Sequence, residues 1–164
     1  MRGRAYSGPV LTLRRAAAAD VDAVRAVTTA AFEKYVPRLG GLPAPMEADH
    51  AAAVHAGRVW VAEEDGTTLG YATLEPQPDH LLLDIVAVSP AAQGRGVGGR
   101  LLALAEERAR EAGLPEIRLC TSEVMTENIA YYPRRGYTET HRGEEEGFKR
   151  VFFRKPVSPG EPPS

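Results

Sequence analysis

Four glycines fall within residues 94–99 of this 164-residue chain. They follow an apolar run, Leu81–Val88, and they precede a stretch from Val97 that has the three-to-four spacing of an amphipathic helix. The first N–H groups of a helix lack intrahelical partners and lie at the positive end of its dipole, so they attract anions. Glycine also lets a phosphate approach the backbone closely. We therefore predict that residues 93–99 form a phosphate-binding turn.

Two other phosphate-binding turns share parts of this pattern. A P-loop requires Lys followed by Ser or Thr after its last glycine, where this chain has Arg100 and Leu101. The glycines at positions 94, 96 and 99 have the spacing of a dinucleotide fingerprint, but that fingerprint follows its strand directly. Here residues 89–93 intervene, and hairpins precede the turn. A nucleotide-linked oxidoreductase is therefore only an alternative, which a colourless protein without NAD affinity would exclude.

Asp84 is the one charged residue in the apolar run Leu81–Val88. A buried carboxylate is costly unless it is paired or functional, and desolvation raises its pKa. A raised pKa suits a base that removes a proton from an amine near neutral pH. Two interpretations of Asp84 stay open: it is a catalytic base, or it orients a neighbour or faces solvent at the start of a strand.

The composition argues against several classes of protein. With 20 basic and 22 acidic residues the net charge is −2, which gives no electrostatic reason to expect nucleic acid or an anionic membrane as partner. Cys120 is the only cysteine and the four histidines are scattered, so we predict neither an internal disulfide nor a metal site. No membrane helix or secretory signal is apparent in the pattern, and we expect a cytoplasmic protein.

The elements around these residues indicate a single mixed α/β domain spanning residues 10–155, with flexible tails at 1–9 and 156–164. Asp65-Gly66 between two apolar runs predicts a hairpin. Asp20 is the expected N-cap of the first helix, and residues 38–46 are expected to be a loop. Strands are predicted at 10–14, 58–63, 69–75, 80–88, 116–121, 137–142 and 148–155, and helices from residue 20 and at 48–56, 97–112 and 128–135.

The turn at 93–98 resembles the acyl-CoA pyrophosphate signature of the GNAT N-acetyltransferase family: Gln or Arg, two residues, Gly, one residue, then Gly or Ala. Residues 86–88 resemble the family's strand whose backbone hydrogen-bonds the acetyl carbonyl and pantetheine. Residues 128–137 resemble its Asn–aromatic–Tyr–Gly–aromatic segment, from which Pro133 departs. The order of elements agrees from residue 10 to 155. The resemblance implies a mostly antiparallel central sheet flanked by helices.

The resemblance further implies direct transfer of an acetyl group from acetyl-CoA to the primary amine of a small molecule or peptide, in a ternary complex. Tyr132 matches the tyrosine that protonates the departing thiolate, and Asp84 matches a position where some members carry the base. Backbone N–H groups near residues 86–88 would polarise the carbonyl. The residues expected to contact acetyl-CoA include the two arginines that flank the turn. They are Val86, Ala87, Val88, Gln93, Gly94, Arg95, Gly96, Val97, Gly98, Gly99, Arg100 and Asn128.

Several interpretations stay open at this point. Asn128 binds the pantetheine arm or caps its helix, and Pro133 is interpreted as an early helix proline of little cost. Tyr131 is expected to be a core aromatic and Cys120 a buried small hydrophobe. The alternative function is a non-catalytic acyl-CoA-binding regulatory module, against which Tyr132 and Asp84 argue.

The acceptor is expected to be selected by two segments, residues 35–46 and 143–147. Residues 144–146 are expected to be a solvated loop between the last two strands. The sequence identifies neither the acceptor amine nor the acyl-chain preference, and it leaves the oligomeric state open, including a homodimer.

Overall fold

Residues 10–158 are described by the structure, a computed structural model, and they build one seven-stranded sheet in the order β1-β2-β3-β4-β5-β7-β6. Every neighbouring pair is antiparallel except β4 and β5, which confirms the predicted mixed, mostly antiparallel sheet. The strands are β1 (Thr12–Arg15), β2 (Val59–Glu64), β3 (Thr67–Pro76), β4 (Leu81–Val88), β5 (Glu116–Ser122), β6 (Thr138–Glu145) and β7 (Phe148–Pro156). The α-helices are α1 (Val21–Phe32), α2 (Val36–Leu39), α3 (Ala44–Glu47), α4 (His50–His55), α5 (Val97–Glu111) and α6 (Thr126–Arg134).

β4 contains a β-bulge at Asp84. Thr73 of β3 pairs with Ile85 and the next residue, Leu74, pairs with Leu83, so Asp84 is the extra residue. One extra residue reverses the face to which later side chains point. Leu83 accordingly joins the core beneath α5, whereas Ile85 joins the core beneath α1. Apolar side chains of β4 therefore enter the cores on both faces of the sheet.

β4 and β5 diverge soon after they begin. As parallel partners they pair only at Leu81 with Ile117 and at Leu82 with Arg118. Beyond these pairs the edge of β4 that faces β5 has no strand partner, so its backbone polar groups are available to other partners. A cleft therefore opens between the carboxyl ends of two central strands.

α5 packs closely on the sheet because Gly70 of β3 has no side chain. A Cβ at Gly70 would lie 2.7 Å from the carbonyl oxygen of Ala87 and 3.2 Å from Cγ1 of Val97. This glycine brings the start of α5 against the end of β4. The helix ends as predicted, with Gly113 in the left-handed conformation at φ +71°.

Three segments differ from the sequence predictions. The predicted loop 38–46 contains the end of α2 and most of α3, two one-turn helices that each carry a proline near the N-terminus, where a missing N–H costs little. Asp20 precedes α1, but its carboxylate accepts from the Ala17 N–H and from Arg14 and caps no N–H of that helix. Residues 144 and 145 belong to β6, so the predicted loop is a tight turn at residues 146 and 147.

The folded part of the chain extends past the expected boundary at residue 155. β7 continues to Pro156, and the buried Val157 donates its N–H to the carbonyl of Pro115. The expected tail 1–9 and residues 159–164 of the expected tail 156–164 lie outside the described residues. Within residues 10–158, no helix has the length and apolar character needed to cross a membrane.

Candidate active site

Two adjacent cavities open at the cleft between β4 and β5. The glycine-turn cavity, of about 680 Å³, lies at the start of α5 and is lined by residues 86–88, 96–99 and neighbours. The Asp84 cavity, of about 270 Å³, is lined by residues 83–86 of β4, 119–122 of β5 and apolar side chains around them. Both cavities share Phe32, Val86, Asn128 and Tyr132 as lining residues.

The glycine-turn cavity brings together all the residues predicted at the cofactor except Arg95 and Arg100. Arg95 instead forms an ion pair with Glu64, at 2.6 Å between its Nη2 and Oε1. Arg100 is exposed on α5 and does not line the cavity. The predicted turn is therefore formed by backbone and small side chains, without the two flanking arginines.

The start of α5 has free donors beside this cavity. Gly96 precedes the helix in the left-handed conformation, at φ +80°, and its carbonyl accepts the first helical hydrogen bond, from Arg100 N–H. The N–H groups of residues 97–99 lie before that bond, so they have no intrahelical acceptor. Such a helix start can bind an anion through backbone donors and the helix dipole.

Gly98 and Gly99 have a second reason to lack side chains. A Cβ at Gly98 would lie 3.2 Å from the hydroxyl oxygen of Tyr131, and one at Gly99 would lie 3.1 Å from Nη1 of Arg135. Arg135 stacks over the Tyr131 ring, with 5.1 Å between its Cζ and the ring centroid. Tyr131, expected to be a core aromatic, is half-buried and lines the cavity.

Arg135 is a site residue that the sequence analysis missed. It lines the glycine-turn cavity, as do Lys34 and Arg134. The available signal was the pair of arginines, Arg134 and Arg135, that Pro133 separates from the tyrosine pair. Because an arginine at the end of a short helix is ordinarily solvated, the signal did not distinguish a cavity residue from a surface one.

Tyr132 lines both cavities while its ring is almost fully buried, with 6% of the residue exposed. Three aromatic rings hold it, with centroids 5.5 Å away for Tyr131 and Tyr137 and 5.7 Å for Phe153. Its hydroxyl makes no hydrogen bond to another residue in the described range. Burial raises the pKa of the Tyr132 phenol, so the group stays protonated at neutral pH.

Asp84 lines the smaller cavity and has no hydrogen bond or ion pair with any residue of 10–158. Asp84 is an exposed residue of β4, and it lines the cavity. Burial, and next the charge of Glu75, raise the pKa of the carboxyl, while Arg150, Arg58 and His50 act in the opposite direction. The direction of the shift is the expected one, but the residue itself is exposed and not buried as the apolar run suggested.

Asn128 and Pro133 occupy other helix positions than expected. Met125 is the N-cap of α6 and Asn128 is its third residue, so the capping interpretation of Asn128 is wrong. The Asn128 amide donates instead to Oγ1 of Thr121, at 3.2 Å, which ties α6 to β5. Pro133 is next to last in α6, so it is a late proline and not an early one. It cannot donate to the carbonyl four residues earlier, and the helix ends one residue after it.

The lining of the smaller cavity includes one of the two segments that were expected to select the acceptor. The predicted segment 35–46 contributes Leu39, Pro43 and its neighbours, whereas residues 143–147 do not line the cavity. The later strand contributes Phe148 and Arg150. Cys120, expected to be a buried small hydrophobe, is half-buried at the cavity wall, with its Sγ 3.7 Å from Nη1 of Arg150.

Comparison with protein families gives one match, the model of the acetyltransferase (GNAT) family, over residues 23–137. The matched region contains β4, the glycine turn, α5 and α6. The chain belongs to the GNAT family. Its membership confirms the predicted resemblance, and the mixed seven-stranded sheet agrees with the fold that the resemblance implied.

Individual relatives agree with this assignment. The mycothiol acetyltransferase of Thermomonospora curvata is 31% identical over 81 residues, which are 49% of this chain and 27% of that protein. The chain thus spans about a quarter of the length of that curated relative. A GNAT-family protein from Desulfovibrio desulfuricans is 26% identical and superposes with a TM-score of 0.72, covering 91% of this chain and 100% of that one.

A further solved structure shows the same fold. PaiA N-acetyltransferase of Thermoplasma acidophilum, in complex with coenzyme A, superposes with a TM-score of 0.74 at 15% identity and covers 90% of this chain and 99% of that one. Among the described residues of this GNAT chain, no group of three or more His, Cys, Asp or Glu is arranged to hold a metal ion.

Proposed function

We propose that this GNAT chain is an N-acetyltransferase that moves the acetyl group of acetyl-CoA directly to a primary amine in a ternary complex. One observation carries the proposal. The Tyr132 hydroxyl and the Asp84 carboxylate, both without partners in the described chain, line two adjacent cavities at the point where β4 leaves β5. A proton donor and a proton acceptor therefore flank the same opening.

The larger cavity suits the donor substrate. The N–H groups at the start of α5 are suited to the pyrophosphate of coenzyme A, and Arg135 adds a positive charge beside them. The unpaired edge of β4 at residues 86–88 offers backbone donors for the acetyl carbonyl, and such donors stabilise the charge that develops on its oxygen. Arg95 and Arg100 are not needed in this arrangement.

Asp84 is suited to remove the proton of the acceptor amine. An alkylamine with a pKa near ~10.4 is only about one part in a thousand neutral at pH 7, so deprotonation is a real barrier. The raised pKa of Asp84 moves this carboxylate towards the range in which a base works well near neutrality. The neutral nitrogen then attacks the carbonyl carbon of the thioester.

Tyr132 is suited to protonate the leaving group. As the bond between carbon and sulfur breaks, the thiolate takes the phenolic proton, and the tyrosinate recovers a proton released by the amine or by water. The raised pKa of the Tyr132 phenol keeps the group protonated at neutral pH, while it makes the phenol a weaker acid towards the thiolate. Once Asp84 has released to solvent the proton that it took from the ammonium group, the cycle has formed an amide and a thiol and the enzyme is in its starting protonation state.

Binding and turnover test the proposal in sequence. We expect acetyl-CoA to bind in calorimetric titration and, at a hundredfold excess over Kd, to stabilise the fold by about 2.7 kcal/mol. We also expect thiol release to depend on an added amine. Binding without release across a broad panel of primary amines would favour the regulatory module, and absence of binding at millimolar acetyl-CoA would contradict both functions.

A further inference from the structure

Arg150 is a charged group of the Asp84 cavity that the proposed reaction does not use. It lies on β7, where it pairs with Ser122 of β5 and Gly143 of β6. Its guanidinium lies over the Phe148 ring, 5.7 Å from the centroid, and its nearest polar contact is the Cys120 sulfur. It forms no ion pair with an acidic residue of 10–158. A half-buried guanidinium with only these contacts has most of its donors unused.

Asp84 and Arg150 thus form an incomplete pair within one cavity. Both line it, and each lacks a partner of opposite charge in the described chain. They influence one another electrostatically, yet they do not form a salt bridge. Two opposite charges held apart in a partly desolvated space are best satisfied by a ligand that carries both complementary charges.

The remainder of the cavity limits the size and polarity of such a ligand. Its volume is about 270 Å³, just below the roughly 300–1,000 Å³ that is usual for drug-sized ligands. Apolar side chains form much of the wall, among them Phe32, Leu39, Pro43, Ile85, Met125 and Phe148. A small molecule with an apolar side chain fits this lining better than a polycation or a highly polar sugar.

We propose that the acceptor is a small, apolar amino carboxylate, with its amine at Asp84 and its carboxylate at the guanidinium of Arg150. The inference rests on the proposed acetyltransferase function and names its substrate class. The planar fork of arginine matches a carboxylate in a bidentate manner, which fixes the orientation of the amine relative to the thioester. Arg150 is thereby the residue that determines acceptor specificity.

The test is a set of matched acceptors, measured by calorimetry in the presence of coenzyme A and by thiol release with acetyl-CoA. The set contains leucine and phenylalanine, their amides, the corresponding amines without a carboxyl group, and the corresponding aminophosphonates. Wild type should bind the amino acids about 10- to 100-fold more tightly than the matched amides and amines, as expected for a charge-assisted pair. Tighter binding of the aminophosphonates would overturn the choice of a carboxylate.

Three variants assign the preference to the guanidinium. Arg150→Gln should remove the preference for amino acids, and Arg150→Lys should retain part of it because the charge stays. Arg154→Gln is the matched control, since Arg154 lies on the same strand but outside the cavity and pairs at 3.9 Å with Glu116. It should leave the preference unchanged.

The results separate this inference from the proposed function. Coenzyme A binding should be equal in wild type and Arg150→Gln, since Arg150 does not line the glycine-turn cavity. If amines without a carboxyl group release thiol at the same rates as the amino acids, the inference is overturned. The proposed acetyltransferase function is unaffected by that result. Amino acid binding that depends on Arg150, without turnover, would support the inference and count against catalysis. Failure of every amino acid to bind wild type would overturn it.

Discussion

The Tyr132 hydroxyl has no partner although its ring is held by three aromatic neighbours. Removing only that oxygen should leave the ring packing unchanged, so a loss of rate would report on chemistry. We predict that Tyr132→Phe lowers kcat with any accepted amine by roughly 100- to 10,000-fold, the range of a general acid, with little change in acetyl-CoA affinity. Steady-state kinetics and a titration with acetyl-CoA check this.

Tyr137→Phe is the matched control for that substitution. Tyr137 packs against Tyr132, but its hydroxyl is buried without a hydrogen-bond partner in the described chain, and the residue lines neither cavity. Removing an unsatisfied buried hydroxyl should leave kcat unchanged and should not lower the melting temperature. Equal kcat losses in both variants would show that aromatic packing, and not proton donation, explains the effect of Tyr132→Phe.

At the scale of elements, the active site depends on how closely α5 approaches the sheet. Gly70→Ala would put a methyl group 2.7 Å from the Ala87 carbonyl, a contact that the backbone must relieve. We predict a loss of stability of about 1–3 kcal/mol, the usual cost of overpacking, together with weaker acetyl-CoA binding because the end of β4 and the start of α5 move apart. Denaturant unfolding and calorimetry measure the two effects.

Gly143→Ala distinguishes this effect from a general intolerance of strand glycines. Gly143 lies on β6, where the added Cβ would meet only Cε2 of Phe152, at an ordinary 3.8 Å. The stability and the acetyl-CoA affinity of Gly143→Ala should match those of wild type. If Gly70→Ala behaves like Gly143→Ala, the close approach of α5 does not position the donor site.

For the whole molecule, the raised pKa of Asp84 implies a cost in stability. The folded state binds this proton more tightly than the unfolded state, where the pKa is near ~3.9. The cost is absent below that value, grows as the pH rises through the folded pKa, and is complete above it. We therefore predict that Asp84→Asn lowers kcat/KM yet raises the melting temperature at pH 7, with the gain disappearing on acidification.

Asp20→Asn should change the melting temperature at pH 7 in the opposite direction. Hydrogen bonds from Arg14 and from the Ala17 N–H lower the pKa of Asp20, so its contribution is present above the unfolded pKa and is lost as the pH falls through the folded pKa. This variant should melt at a lower temperature than wild type at pH 7 and should approach wild type in acid. Thermal melts from pH 3 to 8 test both variants. An unchanged melting temperature for Asp84→Asn would mean that solvent reaches the carboxylate freely.

Much of the fold and of the donor site could be predicted from the sequence because their causes are local. Apolar periodicity indicated the strands and the long helices, and glycines before Val97 indicated a helix start that binds anions. Asp84 was conspicuous because it is one charge in an apolar run. The membership in the GNAT family could be predicted from two short motifs at a fixed separation, which the family match over residues 23–137 supports.

The tertiary structure alone decided which distant side chains share a cavity. The bulge at Asp84 and the short pairing of β4 with β5 open the cleft, and both arise from strand register, which no single segment encodes. Arg135 and Arg150 resemble solvated arginines in the sequence, since their placement depends on how α6 and β7 pack. Local propensity determined the elements, whereas long-range pairing determined which of their residues face one another.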